Sequence, residues 1–526
     1  MTRPRKTGTQ MGSSVRQKRY AATAKRTRKV DRCSRVRSES GILIRPEVGI
    51  GVKFANPRHV IRHLRDAPVR SRPAPFQKRG SMFATLALLV GAAPLPQIAF
   101  EKYRLPNGLT VILSQDHRAP VVAVDVWYHV GAVDERKGRS GFAHLFEHLM
   151  FQGSKHLHGD ERTVFAMLER NGATNLNGTT EWDRTNYFET MPADRLELAL
   201  WLESDRMGFL LDTVDQKKLD TQRDVVRNEK RQSIENVPYG KAEEHLVELL
   251  YPQPNPYYGY VIGSHEDLVA ASLEDVKDFF RTYYAPNNAS LAIVGDFKTA
   301  EVKPLVEKYF GPIVRGPQKP PVTARTEPHL KEARETMTDQ VQLAKILMAW
   351  VGPKPLEGSA VNALMRVLAG GKSSRLYHDL VYEKKIAQDV SASWDPAMQL
   401  GGIIEVTATV QAGRSPQEVE AALTDEIKRL RDQPPAAAEL DRAKRNVEAQ
   451  LFTALENVGG FGGKADQLDY YEMWAGDPGY FSRNLQAFLD VTREEVQKAA
   501  QQFMREEQRV VITVVPEQKQ AAGGGK

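Results

Sequence analysis

Past Cys33 the chain contains no cysteine, and Cys33 is the only one it has. A body without cysteine forms no disulfides and no cysteine-ligated metal site, so any metal it holds must use His, Asp or Glu donors. Long apolar runs are also scarce. The main one, residues 82–93, is about a dozen residues, where a membrane-spanning helix needs about 20. Acidic residues are nearly missing from positions 1–80, which hold 22 Lys and Arg against 4 Asp and Glu. The rest of the chain reverses the balance, with 51 basic and 62 acidic residues, so the net charge of +7 belongs to one tail and the body is acidic. That excludes a folded body built to bind nucleic acid, although the overall charge alone suggests one.

Residues 1–81 read as a disordered basic tail. Residues 82–97 look like a secretory signal: Lys78 and Arg79 precede an apolar stretch that ends in small residues before Pro94 and Pro96. This reading places the natural start near residues 69–82 and the mature protein in the periplasm or outside the cell. The Arg-rich leader has two other readings. One is a mitochondrial transit peptide, which would send the protein to the matrix. The other is a nucleic-acid-binding arm. Neither explains the apolar stretch.

The body carries one run with chemistry in it, Ser140-Gly141-Phe142-Ala143-His144-Leu145-Phe146-Glu147-His148-Leu149-Met150. Histidines four apart on a helix share one face and can reach one metal ion. Glu147 lies beside the second histidine and can act on a water without being a ligand. The order His-x-x-Glu-His inverts the commoner His-Glu-x-x-His of zinc peptidases. Ser140 is the expected N-cap, Phe142, Leu145, Phe146 and Leu149 the apolar stripe, and Gly153 the helix stop. An accidental match is the plain alternative, but a helix buried on its Leu/Phe face needs a reason for three metal-type residues.

The remaining periodicity predicts a strand–turn–strand around Asn107-Gly108 and a strand over residues 121–130. Helices are expected near 160–170, 193–211, 216–235, 241–250 and 273–284, and a strand at 291–294. Pro, Gly and charge crowd residues 311–335, which read as a linker. A second unit follows, and its end echoes that of the first. Ser272-Leu273-Glu274-Asp275 and Thr492-Arg493-Glu494-Glu495 both open a helix that leads to an apolar strand, 220 residues apart. The fold expected is α+β: two similar α/β units, each a mostly antiparallel sheet packed with helices. The divisions are a tail 1–81, a signal-like segment 82–97, a zinc-binding domain 98–312, a linker 313–335, a homologous zinc-free domain 336–516 and a polar tail 517–526. Gly459-Gly460-Phe461-Gly462-Gly463 reads as a flexible loop or helix break, without a phosphate-binding pattern. His129, His156, His158 and His265 have no ligand spacing with the motif and read as structural or surface.

A catalytic zinc site wants a third protein ligand. On the helix expected over 216–235, Gln222, Val225, Val226 and Glu229 mark the buried side, but spacing alone does not choose Glu229 over Glu235. Residues 98–516 resemble the pitrilysin/insulysin-type zinc peptidases, the group that includes mitochondrial processing peptidase and exported bacterial enzymes. The likeness rests on Leu105-Pro106-Asn107-Gly108-Leu109, the His144–His148 motif, Asn177-Gly178-Thr179-Thr180, Val225-Val226 with Glu229, Tyr284-Ala285-Pro286-Asn287-Asn288-Ala289 and Gly370-Gly371-Lys372-Ser373-Ser374-Arg375-Leu376.

The resemblance implies one zinc per chain held by His144, His148 and Glu229, with Glu147 as the proton-transferring base. It implies a fold in which four α/β units close a clamshell around a chamber, so that this chain is half of one. Family members often carry a second acid seven residues before the ligand glutamate. Here that position is Gln222, which can only hydrogen-bond a ligand. Asn177 matches the strand on which the family holds substrate, though it also reads as a turn residue before Gly178. The family's oxyanion-stabilising Arg and Tyr fall on Val381 (Tyr382 if one residue is deleted) and Gln388, and neither survives. The implied protein is a zinc-dependent endopeptidase acting on short or unfolded peptides, with the missing groups supplied by a homologous zinc-free subunit or by a homodimer. A non-catalytic scaffold subunit of the same fold is the alternative, which the intact motif disfavours. No nucleic acid and no stable membrane span are expected.

Overall fold

The computed structural model describes residues 95–322 and 331–517. The basic tail with Cys33, the signal-like stretch up to residue 94, and residues 518–526 lie outside the described residues. The first half contains β1 (Glu101–Arg104), β2 (Thr110–Gln115), β3 (Val121–Tyr128), α1 (Phe142–Leu149), α2 (Glu161–Arg170), β4 (Thr174–Thr180) and β5 (Thr185–Pro192). It continues through α3 (Leu196–Phe209), α4 (Gln216–Lys230), α5 (Gly240–Leu250), α6 (His265–Ala270), α7 (Leu273–Tyr283), β6 (Ala289–Gly295) and α8 (Thr299–Phe310). The second half contains β7 (Ala333–Asp339), β8 (Lys345–Val351), α9 (Ser359–Ala369), β9 (Ala387–Asp395), β10 (Ile403–Val410) and α10 (Pro416–Asp432). After these come α11 (Ala437–Ala454), α12 (Lys464–Ala475), α13 (Tyr480–Asp490), α14 (Arg493–Phe503) and β11 (Val510–Pro516). β7 thus begins inside the stretch read as a linker.

The first sheet has the order β1-β2-β6-β3-β5-β4 and the second β7-β11-β8-β10-β9. Each contains one parallel pair, β2 with β6 and β11 with β7, and is otherwise antiparallel. Without β1, the two orders correspond strand for strand, which is the duplication expected from the sequence. Both capping boxes are present: Ser272 Oγ accepts from Asp275 N at the start of α7, and Thr492 Oγ1 from Glu495 N at the start of α14. Asn107 holds the first turn and also donates from Nδ2 to the carbonyls of Phe310 (2.7 Å) and Ile313 (3.0 Å), tying it to the end of α8.

Strand alternation leaves both faces of each sheet with buried side chains. In the first sheet, Val122, Val124, Val126, Leu291 and Ile293 face the helical core built from α1, α3, α7 and α8. The opposite face, with Ile112, Ala123, Ala292 and Val294, is covered by Ala465 and Leu468 of α12, a helix of the second half. The exchange is reciprocal. Leu246, Val247 and Leu250 of α5, in the first half, pack on Leu347, Ala349, Val510, Ile512 and Val514 of the second sheet. Two units merely joined by a linker would leave these faces in water. Instead each half closes the other's sheet. Among the described residues no helix is long and apolar enough to cross a membrane.

Candidate metal centre and active site

All eight residues of α1 are buried, the histidines and glutamate included. The start of the helix differs from the expected Ser140 cap. Gly141 is the N-cap, at φ 85, where a Cβ would lie 2.6 Å from the Ile262 carbonyl oxygen, so the position demands glycine. The Ser140 hydroxyl donates to Asp267 instead, and the free helix N–H groups are taken by Glu135, whose carboxyl accepts from Gly141 N and Ala143 N at 2.8 Å each. The helix ends at Leu149, and Gly153 serves the turn beyond it. Four residues apart, His144 and His148 stack their rings edge to face with centroids 4.9 Å apart.

α4 packs against α1 and delivers Glu229 to the histidine pair. Glu229 Oε2 lies 3.1 Å from His148 Nε2, and Oε1 lies 3.8 Å from His144 Nε2. One potential ligand atom from each of the three residues lies within 4.8 Å of the others. Glu235 is turned elsewhere and pairs with His265 at 2.8 Å. Of the two acids that spacing left open, Glu229 is the one brought to the histidine pair. The buried face of α4 is Leu219, Gln222, Val226 and Lys230, while Val225, expected inside, is exposed.

Among the described residues His144 Nδ1 and Glu229 Oε1 are buried without a hydrogen-bond partner, and His148 Nε2 faces only the Glu229 carboxylate. Unpaired polar atoms at such depth are costly unless something binds them, and two imidazoles with a carboxylate make a donor set that suits zinc. Burial holds His144 below its ordinary pKa, which keeps the ring neutral with its lone pair available. Burial presses His148 the same way, but the Glu229 carboxylate and then Glu147 outweigh it and lift the group above its usual value. Glu229 is held low: burial opposes its charge, and His148 and His144 overcome it.

Glu147 lies beside the edge of the first sheet, where among the described residues β4 pairs with β5 on one side only. Thr180, on β4, donates from Oγ1 to Glu147 Oε2 at 2.7 Å. Gly178 lies against the same side chain, with a would-be Cβ 3.1 Å from Glu147 Cγ. Thr180 closes the Asn177-Gly178-Thr179-Thr180 stretch, for which the family resemblance implies a role only at Asn177. Strand alternation from Gly178 puts it on the side of Glu147, so the signal was present. Asn177 is in the strand, paired with Phe188, and not in a turn. Gln222 is buried, and among the described residues its amide oxygen has no hydrogen-bond partner. At Glu161, the start of α2, burial holds the carboxyl above the ordinary range, and His148 is the main charge opposing that shift.

Two family models match the chain, "Insulinase (Peptidase family M16)" over residues 110–254 and "Peptidase M16 inactive domain" over residues 270–447. The zinc protease PqqE of Helicobacter pylori is 31% identical over 387 residues, covering 71% of this chain and 85% of the relative. The chain belongs to the insulinase family of peptidases, M16. A protease from Helicobacter pylori of known crystal structure superposes with a TM-score of 0.73 at 26% identity, covering 80% of this chain and 100% of that one. The periplasmic protease PqqL from Escherichia coli shares the fold, with a TM-score of 0.65 at 18% identity, over 80% of this chain but only 48% of its own. The superposition thus spans about half of the PqqL structure. His144, His148 and Glu229 lie within the insulinase match, and the second half falls largely under the inactive-domain match.

In that M16 second half, Val381 and Tyr382 sit on the π-helical turn Tyr377–Glu383, and Gln388 lies on the edge strand β9. Val381 packs on the core of this half, while Tyr382 and Gln388 are exposed. None of the three offers the paired cationic and phenolic donors expected there. Arg375, in the glycine-serine segment before the turn, is committed to Glu439 through two hydrogen bonds of 2.8 Å.

Proposed function

We propose that this chain is the zinc-bearing subunit of an M16 endopeptidase that hydrolyses short or unfolded peptides inside a closed chamber. The observation that carries the reading is the convergence of His144, His148 and Glu229, with Glu147 between them and a free strand edge. His144, His148 and Glu229 would hold one zinc ion, within a domain spanning residues 98–312. When bound, zinc polarises the scissile carbonyl and lowers the pKa of water. Glu147 takes the proton from the attacking water and hands it to the leaving amine, and Thr180 fixes the carboxylate in the orientation this requires. The edge of β4 aligns an extended substrate by backbone hydrogen bonds, with Asn177 on the strand that receives it. Gln222 backs the ligand helix as a hydrogen-bonding group beside the ligands.

Residues 336–516 form the zinc-free counterpart, and Val381, Tyr382 and Gln388 leave it without the Arg and Tyr expected at the oxyanion positions. A homologous zinc-free subunit carrying Arg and Tyr would complete the chamber; a homodimer is the simpler assembly but supplies neither donor. The half-length coverage of PqqL supports a two-subunit enzyme, and its periplasmic description supports export here. The test is metal analysis and quenched-peptide cleavage by the purified chain, alone and with the homologue, against Glu147→Gln. One zinc per chain and a gain of roughly 100- to 1000-fold on adding the homologue are expected. A wild-type protein that binds no zinc ends the enzyme reading, and full activity from the isolated chain ends the need for a partner.

A further inference from the structure

Composition alone reads Gly459–Gly463 as flexible. The structure shows a closed turn pinned to the first sheet. Gly463 N donates to Gly460 O at 3.0 Å, and Gly462 N donates to Asp466 Oδ2 at 2.8 Å, fastening the turn to α12. At Gly459 a Cβ would lie 2.4 Å from Ala123 Cβ and 2.8 Å from Thr190 Oγ1, so the backbone rests directly on β3 and β5. Gly460 adopts φ 78 and reaches the free edge: a Cβ there would meet Asn175 Cγ at 3.4 Å.

This turn presents Phe461, which is 61% exposed, edge-on to the buried ring of Phe188 with centroids 5.1 Å apart. Phe188 is the strand partner of Asn177 and shares its side of the sheet. Gly178, one residue on, pairs with Tyr187 and faces Glu147 on the other side. A peptide added to β4 alternates in the same way. Side chains at every second residue then point toward Phe461, while the reacting bond lies by Thr180 and Glu147, roughly 10 Å along the strand. A large aromatic held in water by a turn made for close approach, beside an unpaired strand edge, is shaped to be covered by something apolar.

We propose that Phe461 is a specificity-determining residue, which with Phe188 selects a large apolar side chain two or three residues from the cleaved bond of a peptide laid along β4. The inference rests on the peptidase reading above and adds to it the side-chain class that is preferred. Burying one such side chain favours it by roughly 10- to 100-fold over a small or charged one.

The test uses the zinc-loaded enzyme in whatever assembly cleaves peptides, with a library varied one position at a time about the cleaved bond. The wild type should prefer Leu, Met, Phe or Tyr at one such position. Phe461→Ala should flatten that preference by about tenfold through KM, and Phe461→Leu should restore most of it. Thermal melting checks that the variants fold, which the exposure of Phe461 favours. Identical profiles for wild type and Phe461→Ala would overturn the proposal. So would a uniform loss of activity that rises back with protein concentration, since that marks a subunit contact. If wild type and Glu147→Gln are equally inert toward every peptide, the peptidase reading itself falls, and this inference falls with it.

Discussion

Thr180 Oγ1 donates to Glu147 Oε2 across 2.7 Å, tying the acid of the histidine helix to the edge strand β4. The bond crosses from one element to another, so it fixes the carboxylate relative to any peptide aligned on that strand. A hydrogen bond to a charged group is worth about 1.5–3 kcal/mol, which is roughly 10- to 100-fold in rate if it acts only on the reacting geometry. Thr180→Val should lower kcat within that range while zinc content stays at one per chain, and Thr180→Ser should retain activity. Glu147→Gln should cost about 100- to 10000-fold. Steady-state kinetics beside metal analysis separates the two, because zinc loss in Thr180→Val would reassign the residue to the metal centre.

The metal assignment separates Glu229 from Glu235. Glu229 approaches both histidines, whereas Glu235 is engaged by His265. Glu229→Gln and His148→Ala should emerge from dialysis with little zinc, and Glu235→Gln should keep it. Chelation should abolish cleavage and lower the melting temperature, since an ion bound only to the folded state stabilises it by mass action. Equal zinc in Glu229→Gln and wild type would move the third ligand elsewhere.

A pH dependence follows from the seam between α12 and the first sheet. Asp125 on β3 and Asp469 on α12 are buried near one another with Asp466 half-buried beside them, and among the described residues neither oxygen of Asp469 has a hydrogen-bond partner. Burial, then the neighbouring carboxyls, pushes Asp125 and Asp469 well above the ordinary carboxylate range, and burial lifts Asp466 from 3.8 to about 6, with Arg184 opposing. At these three carboxyls the folded state therefore holds more protons than the unfolded chain above about pH 4. The seam's own contribution to stability should be greatest below that point and fall as pH rises through 6 and beyond. Asp469→Asn should melt higher than wild type at pH 8, with a smaller gain at pH 5. A gain independent of pH would mean that charge at this seam is not the cause.

The exchanged helices make a mechanical claim. Leu468 of α12 is buried among the apolar residues that face the first sheet, as Leu246 of α5 is against the second. Truncating a buried leucine typically costs about 2–5 kcal/mol. Leu468→Ala should lower stability by that order, and calorimetry of wild type should show one cooperative transition for the described body. Two well-separated transitions would mean that the halves fold independently despite the exchange.

The sequence by itself determined the local chemistry and the repeat. Histidines four apart share a helix face whatever surrounds them, which fixed His144 and His148 as a pair with Glu147 beside them. The matching capping boxes at Ser272 and Thr492 announced two related units, because a cap is written in four consecutive residues. The family resemblance then pointed to Glu229. Tertiary structure decided what depends on residues far apart. It set Glu229 rather than Glu235 against the histidines, gave the start of α1 to Glu135 and not Ser140, and placed Thr180 on Glu147. It also turned Gly459–Gly463 from a break in the chain into a turn packed on the opposite half, and crossed α5 and α12 between the sheets. Periodicity reports which face of an element is buried but not what covers it. Which partner covers it is settled only when distant segments meet.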